Sequence, residues 1–216
     1  MAQQQSPSRT VGRDDAEGKR GNIHWVWFIT GPTACGKTTI AKYLADKLGM
    51  SFVEGDDFHP KANRDKMAHD EPLTDEDRAA WLEALHDRVL VAAGGSGSTG
   101  PDPDGNKGTP ATSRSSHRVV ACSALKRQHR DALRGRPPVE VRFVFLDVDE
   151  EVLRWRARER KGHFAGEGLV KSQMETLERP GDDEEDLIVV KVEDRMDAEE
   201  TEREVLKRVK HEMELE

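Results

Sequence analysis

The stretch GPTACGKT at residues 31–38 constrains the fold of this chain more than any other feature. It follows the apolar run WVWFIT and precedes a segment in which Ile40, Leu44 and Leu48 recur four residues apart. The apolar run has the length of a buried strand, and the four-residue recurrence is typical of one face of a helix. The sequence therefore predicts a strand, a glycine-rich turn and a helix in direct succession.

The same stretch matches the pattern G-x-x-x-x-G-K-[ST] at every fixed position, in the strand-to-helix context that the pattern requires. Its glycines let backbone N–H groups curl around phosphates, and the N-terminus of the following helix adds a favourable field for the anion. Lys37 is expected to reach the β- and γ-phosphates of ATP, and the Thr38 hydroxyl to ligate Mg²⁺. The residues predicted to bind the nucleotide are Gly31, Pro32, Thr33, Ala34, Cys35, Gly36, Lys37, Thr38 and Thr39.

Cys35 lies inside this loop, just before the start of the predicted helix, and two interpretations of it remain open. The field of the helix N-terminus would favour a reactive thiolate that oxidants or alkylating agents attack. Alternatively, Cys35 is an inert small residue, because reactivity also requires exposure. Cys122 is the only other cysteine, and two cysteines form no disulfide framework, so we expect a reducing, cytoplasmic environment.

The rest of the folded part alternates between strand-like and helix-like segments. This alternation predicts parallel βαβ units, with a sheet that is covered by helices on both faces. A helix start is indicated at Thr74, because Asp77 stands where the second residue of a capping box is expected. Further strands are predicted at 52–53, 119–122, 141–147 and 187–192, and further helices at 127–134, 150–160, 169–178 and around 205–213.

Two segments offer little apolar surface for a core. Residues 1–22 are predicted to form a disordered tail. Residues 94–116 consist mostly of Gly, Ser, Thr and Pro and are predicted to be a flexible insertion. We expect the insertion to interrupt a single domain, 23–216, because the motifs on its two sides complete one site.

The overall charge and the apolar runs exclude some classes of partner. The net charge of −8 argues against nucleic acid or an anionic membrane as the main partner. No apolar run approaches the length of about 20 residues that spans a bilayer. An anionic small-molecule substrate remains open, because a local cluster of Arg and Lys acts at short range despite the overall charge.

An acidic cluster, EGDDFHP at residues 54–60, follows the second predicted strand. Ligands of open α/β sheets bind at the carboxyl ends of the strands, so this cluster is expected to face the phosphate-binding loop. A carboxylate there can order a water on Mg²⁺ or accept the proton of an attacking hydroxyl. From these residues alone, a solvated acidic turn remains the alternative.

The acidic cluster is followed by a series of further short sequence blocks. These blocks are Asn63, KM at 66–67, PLTDEDR at 72–78, WL at 81–82, CSALKR at 122–127 with RD at 130–131, RKGHF at 160–164 and SQ at 172–173. The phosphate-binding loop is shared with many families, whereas the acidic cluster and these blocks are much more particular. In order and spacing, over roughly residues 25–192, the motifs together resemble the gluconokinase family.

The resemblance implies transfer of the γ-phosphoryl group of ATP to the 6-hydroxyl of D-gluconate, which gives 6-phospho-D-gluconate for the pentose phosphate pathway. It also implies a P-loop kinase fold of the shikimate-kinase-like type. This α/β fold is a three-layer sandwich with a five-stranded parallel sheet of order 2-3-1-4-5, helices on both faces and a lid at about 156–178. A homodimer is what the resemblance suggests for assembly.

By position, the resemblance implies that Asp56 points at the acceptor hydroxyl and that Arg78 binds the substrate carboxylate. Arg156 and Arg160 correspond to lid arginines that close over the phosphates, and Glu54 to the residue that holds Mg²⁺ through water. The family usually has Asp in place of Glu54. The other residues implied to contact the substrate are His59, Lys66, Lys126, Arg127, His163 and Gln173.

Alternatives remain open at the level of sequence. Arg78 could pair with Asp75 or with a neighbouring turn of its own helix, and His129 stands where Tyr is common in the family. The acceptor could be another small acid such as shikimate, whereas no signal indicates a pocket for the base of a nucleoside monophosphate. A nucleotide-binding regulatory protein without turnover is the alternative from another class.

Overall fold

The computed structural model describes residues 23–69, 71–91, 116–135, 137–159, 167–193 and 197–215. The predicted tail, nearly all of the predicted insertion and the middle of the predicted lid therefore lie outside the described residues. Arg160 and His163 belong to that part of the lid. No helix among the described residues is both long and apolar enough to cross a membrane.

Five parallel strands form one sheet in the order 2-3-1-4-5, counted along the chain, which confirms the predicted fold class and strand order. Each predicted strand is present, with bounds that differ from the prediction by a few residues at most. The strands are β1 His24–Thr30, β2 Ser51–Glu54, β3 Arg118–Ala121, β4 Val139–Val148 and β5 Leu187–Val192.

Strand β1 lies at the centre of the sheet because its apolar run can be buried on both faces. Trp27 and Ile29 pack on one face, in the core cluster that lies under the helices Lys37–Leu48 and Ala198–Leu215. Val26 and Phe28 pack on the other face, in the cluster under the helix Asp75–His86. Continuous apolar runs of this kind are typical of parallel strands with helices on both sides. The helices are α1 Lys37–Leu48, α2 Lys61–Ala68, α3 Asp75–His86, α4 Arg127–Leu133, α5 Glu150–Glu159, α6 Glu167–Thr176 and α7 Ala198–Leu215.

Local signals determine several helix ends. Thr74 accepts a hydrogen bond from the Asp77 backbone, and Asp77 accepts one in return, so the predicted capping box is confirmed. Gly49 ends α1 in the left-handed conformation, with φ 64°. Helix α2 was not predicted, because Asn63 is its only buried residue and the helix shows no apolar periodicity.

Gly55 begins the 3₁₀ turn Gly55–Phe58, which carries Asp56 and Asp57 of the acidic cluster. A Cβ atom at this position would lie 2.4 Å from the backbone oxygen of Ala121 and 3.4 Å from Cys122 Cβ. The backbone oxygen of Ala121, at the end of an interior strand, cannot move aside as a flexible side chain can. The absence of a side chain at residue 55 therefore allows the acidic turn to lie against strand β3.

We expect Gly55→Ala to lower the free energy of unfolding by about 2–3 kcal/mol, because it overpacks a contact with the sheet backbone. Urea denaturation measures this loss. Gly168→Ala is the matched control, since a Cβ there meets nothing within 4 Å and alanine favours a helix. Equal stability of the two variants would contradict the close packing of the acidic turn.

Candidate active site

The register of the sheet brings the phosphate-binding loop and the acidic cluster to the same edge. Ala121 of β3 pairs with Ile29 of β1 on one side and with Glu54 of β2 on the other. The three strands therefore end at the same level. The N–H group of Gly31 donates to the Ser123 carbonyl oxygen at 3.2 Å, which joins the phosphate-binding loop to the segment after β3.

The loop itself has the curled backbone that its sequence predicts. Gly31 and Gly36 have φ values of 136° and 102°, a region in which side chains are strained. Ala34 also has a positive φ, 63°, and such strain in a residue other than glycine is common in ligand-binding loops. Lys37 Nζ donates to the Pro32 carbonyl oxygen at 2.8 Å, so the lysine lies back over the loop.

Thr38 and Glu54 meet at the start of α1. The Thr38 hydroxyl donates to Glu54 Oε2 at 2.8 Å. Burial raises the pKa of Glu54, and the nearby Asp56 carboxylate acts in the same direction, whereas the hydrogen bond from Thr38 opposes it. A hydroxyl and a carboxylate are the hard oxygen donors that suit Mg²⁺ and its water ligands. The residues therefore fit the ion that the sequence predicted.

Asp56 and His59 lie on the 3₁₀ turn and just after it. The Asp56 side chain is 62% exposed, whereas the His59 side chain is 4% exposed, and 3.8 Å separate Asp56 Oδ1 from His59 Nε2. The His59 ring stacks on Trp81, with the ring centroids 4.2 Å apart. The turn therefore holds an accessible carboxylate beside a fixed imidazole.

Arg78 lies in the first turn of α3, where burial lowers the pKa of its guanidinium. Its Nη1 donates to the carbonyl oxygens of Leu73 and Thr74, at 2.5 and 3.5 Å. The contact with the start of its own helix, which the sequence left open as an alternative, is therefore present. Among the described residues, Nε and Nη2 of Arg78 make no hydrogen bond, so part of the guanidinium remains for a ligand.

The three other cationic residues predicted to contact the substrate each form an ion pair. Lys66 Nζ lies 2.7 Å from Asp77 Oδ2, and Lys126 Nζ lies 2.8 Å from Asp75 Oδ2. Both carboxylates belong to the first turn of α3, so both lysines stay beside Arg78.

Arg127 is placed differently. Its Nη1 lies 2.5 Å from Asp183 Oδ2, and its backbone N–H donates to Glu178 at 2.8 Å. The structure therefore does not bring Arg127 together with Asp56 and Arg78. The Nε2 atom of His129, two residues further on, is buried without a hydrogen-bond partner among the described residues.

Two residues of the predicted lid lie against the phosphate-binding loop. Arg156 lines a cleft of about 310 Å³ together with Ala34, Gly36 and Thr39 of the loop. Gln173 Oε1, on α6, accepts a hydrogen bond from the Thr33 backbone N–H at 2.6 Å. The described parts of the lid are therefore next to the predicted phosphate site.

The sequence interpretation missed the role of Arg130. This residue is 1% exposed and donates twice to the equally buried Glu184, at 2.8 and 2.6 Å. It also donates to the Ala124 and Glu178 carbonyl oxygens, at 3.3 and 3.2 Å. Arg130 therefore connects the segment after β3 with the end of the lid. The sequence carries no signal for the pairing, because the two charges lie 54 residues apart.

Cys35 is buried, at 2% exposure, and burial raises the pKa of its thiol although Lys37 and Arg156 act against that rise. The hypothesis of a reactive thiolate is therefore wrong, and the interpretation as an inert residue holds.

We expect native protein at pH 7 to react with iodoacetamide far more slowly at Cys35 than urea-unfolded protein does. Mass spectrometry measures both rates. Rapid labelling of the native protein that Mg-ATP slows would contradict the structure.

The five-stranded sheet, with its first strand leading into a phosphate-binding loop and a helix, matches the architecture of nucleotide-dependent kinases. A family model described as shikimate kinase matches residues 33–96. The crystal structure of a gluconokinase from Sinorhizobium meliloti superposes with a TM-score of 0.67, at 34% identity, and covers 89% of this chain and 96% of that one. The fold and the site thus define a P-loop kinase of small molecules.

Two further relatives specify the family. A probable gluconokinase of Schizosaccharomyces pombe is 40% identical over 172 residues, which are 78% of this chain and 80% of that protein. The gluconokinase of Gluconobacter oxydans is 42% identical over 158 residues, which are 72% and 76% of the two chains. This chain belongs to the gluconokinase family.

Proposed function

We infer that this protein transfers the γ-phosphoryl group of ATP to the 6-hydroxyl of D-gluconate, giving 6-phospho-D-gluconate for the pentose phosphate pathway. One observation carries the inference beyond family membership. The strand register aligns the phosphate-binding loop with an acidic turn, and the helix that packs on this turn carries Arg78 in its first turn. A loop that can bind the phosphate donor, the exposed carboxylate of Asp56 and the partly available guanidinium of Arg78 together suit phosphorylation of a hydroxyl on an acid.

The nucleotide would be held by residues 31–39. Its phosphates would replace the internal partners that the loop has now, such as the Pro32 carbonyl oxygen at Lys37. Thr38 would ligate Mg²⁺, and Glu54 would order a water of the ion. Bound Mg²⁺ supplies positive charge that neutralises the transferred phosphoryl group.

On the acceptor side, Asp56 would orient the attacking hydroxyl and receive its proton. Because the transition state of phosphoryl transfer is loose, orientation contributes more than early removal of the proton. Arg78 would bind the gluconate carboxylate. The further substrate contacts that we propose are Lys66, Lys126, His163 and Gln173.

The lid would complete the site when both substrates are bound. Arg156 already lies at the phosphate-binding loop, and Arg160 would join it over the phosphates. Closure excludes water, which would otherwise hydrolyse the activated phosphoryl group. We propose that one domain, residues 23–216, carries the whole site, and that the protein forms a homodimer in the cytoplasm.

A coupled assay of ADP release with Mg-ATP tests the function across gluconate, other sugar acids, shikimate and nucleoside monophosphates. We expect gluconate to give the highest kcat/KM and Lys37→Ala to abolish turnover with every acceptor. A higher kcat/KM with shikimate would assign another acceptor. Binding of ATP without turnover of any acceptor would indicate a regulatory protein instead.

A further inference from the structure

Trp81 holds the His59 ring in place. Its ring stacks nearly parallel to the Trp81 ring, at 4.2 Å and 15°. Trp81 is itself fixed, because its Nε1 donates to the Gly55 carbonyl oxygen at 2.8 Å. The imidazole therefore has little freedom to move relative to the turn that carries Asp56.

The contact with Asn63 indicates which nitrogen of His59 carries the proton. Its Nδ2 lies 2.8 Å from the Asp77 carbonyl oxygen, and a carbonyl oxygen can only accept, so this atom is the amide NH₂ group. The same Nδ2 lies 3.4 Å from His59 Nδ1, to which it can donate its second hydrogen. A neutral imidazole that accepts at Nδ1 carries its proton at Nε2.

Burial keeps the His59 imidazole neutral. Burial lowers its pKa to about 4, and the cations Arg78 and Arg64 act in the same direction, against the Asp56 carboxylate. His59 Nε2 is the ring atom that faces Asp56 Oδ1, 3.8 Å away. A neutral donor therefore points at the carboxylate of the acidic turn.

We propose that His59 is a positioning residue that acts through Asp56, by donating a hydrogen bond from Nε2 to the carboxylate that orients the acceptor hydroxyl. This proposal rests on the proposed function of Asp56. The distance of 3.8 Å between His59 Nε2 and Asp56 Oδ1 is too long for a hydrogen bond. A movement of the Asp56 carboxylate by about 1 Å brings the two atoms within hydrogen-bond distance. Such contacts are often long in free enzymes and tighten when substrates bind.

The need for a positioning residue follows from the exposure of Asp56. With 62% of its side chain exposed, the carboxylate can adopt several rotamers, and only some of them face an acceptor. A fixed donor selects among these rotamers, which reduces the entropy lost in reaching the reactive geometry. The chain Asp77–Asn63–His59–Asp56 thus links the start of α3 to the catalytic carboxylate.

A double-mutant cycle with Asp56 tests the proposal. His59→Phe keeps a ring on Trp81 but removes the donor, whereas His59→Gln keeps an N–H group of similar reach. We expect His59→Phe to lower kcat with gluconate about tenfold, as for the loss of one hydrogen bond to a charged group, with KM for ATP unchanged. His59→Gln should recover most of this loss. The exposed His69, replaced by Phe, is the control and should keep wild-type kcat.

In an Asp56→Ala background, which offers no acceptor at residue 56, His59→Phe should change kcat less than twofold. A full tenfold loss in that background would overturn the proposal, because His59 would then act independently of Asp56. A rise in KM for gluconate at unchanged kcat would overturn it too, in favour of a direct substrate contact. A wild-type protein that does not phosphorylate gluconate would instead refute the proposed function.

The tautomer can be observed directly, even if the Phe variant fails to fold. Long-range ¹H–¹⁵N NMR of the wild-type protein between pH 6 and 8 should show His59 neutral and protonated at Nε2. Asn63→Leu, which removes the donor to Nδ1, should allow the other tautomer as well. Protonation of wild-type His59 at Nδ1 alone would leave no donor facing Asp56 and would end the proposal.

Discussion

Asp56→Asn should lower kcat with gluconate by about 10²–10⁴-fold, the usual contribution of a general base, while KM for ATP changes little. The amide keeps the size of the side chain but loses the charge that orients the attacking hydroxyl and receives its proton. The phosphate-binding loop is untouched, because Lys37 and Thr38 have their partners elsewhere. Steady-state kinetics and calorimetric titration of ATP measure the two effects separately.

Asp57→Asn is the matched control for this prediction. Asp57 is the next residue of the same exposed 3₁₀ turn, so its replacement makes the same change of net charge beside the site. We expect kcat of this variant to stay within about twofold of the wild type, as for most surface substitutions. Equal losses in both variants would mean that the charge of the turn matters, rather than the placement of one carboxylate.

Arg78→Ala should raise KM for gluconate by about one to two decades and leave KM for ATP nearly unchanged. The loss of a charge-assisted hydrogen bond to the carboxylate is worth about 1.5–3 kcal/mol. Arg78→Lys should recover only part of the affinity, because an ammonium group cannot reproduce the planar fork. Initial-rate measurements over both substrate concentrations check these values.

The contacts of Arg78 with Leu73 and Thr74 make a stability control necessary. Thermal unfolding of Arg78→Ala measures how much stability the protein loses when these contacts at the start of α3 are removed. Glucose, which has no carboxylate, separates binding of the substrate carboxylate from a structural role of Arg78. Its phosphorylation should be weak and should change little in Arg78→Ala. Weaker binding of ATP and gluconate alike, or equal losses with glucose, would show that Arg78 is structural and would remove the main physical support for an acid as the acceptor.

Features that depend on neighbours in sequence could be predicted. The strand–loop–helix unit at 31–38, the helix start at Thr74 and the helix end at Gly49 follow from local periodicity and from single residues with strong backbone preferences. The carboxyl-end rule for parallel sheets was enough to place Asp56 beside the phosphate-binding loop. The strand order and the acceptor, however, came from the family resemblance and not from these patterns.

Only the tertiary structure decided which charged and reactive groups are buried and what they contact. The loop sequence alone left Cys35 with two interpretations, and its burial excluded one of them. Arg127 and Arg130 are three residues apart and equally charged, yet one pairs with Asp183 at the surface and the other with buried Glu184. Local patterns are set by backbone geometry over a few residues, whereas burial and ion pairing depend on segments that are distant in the chain and meet only after folding.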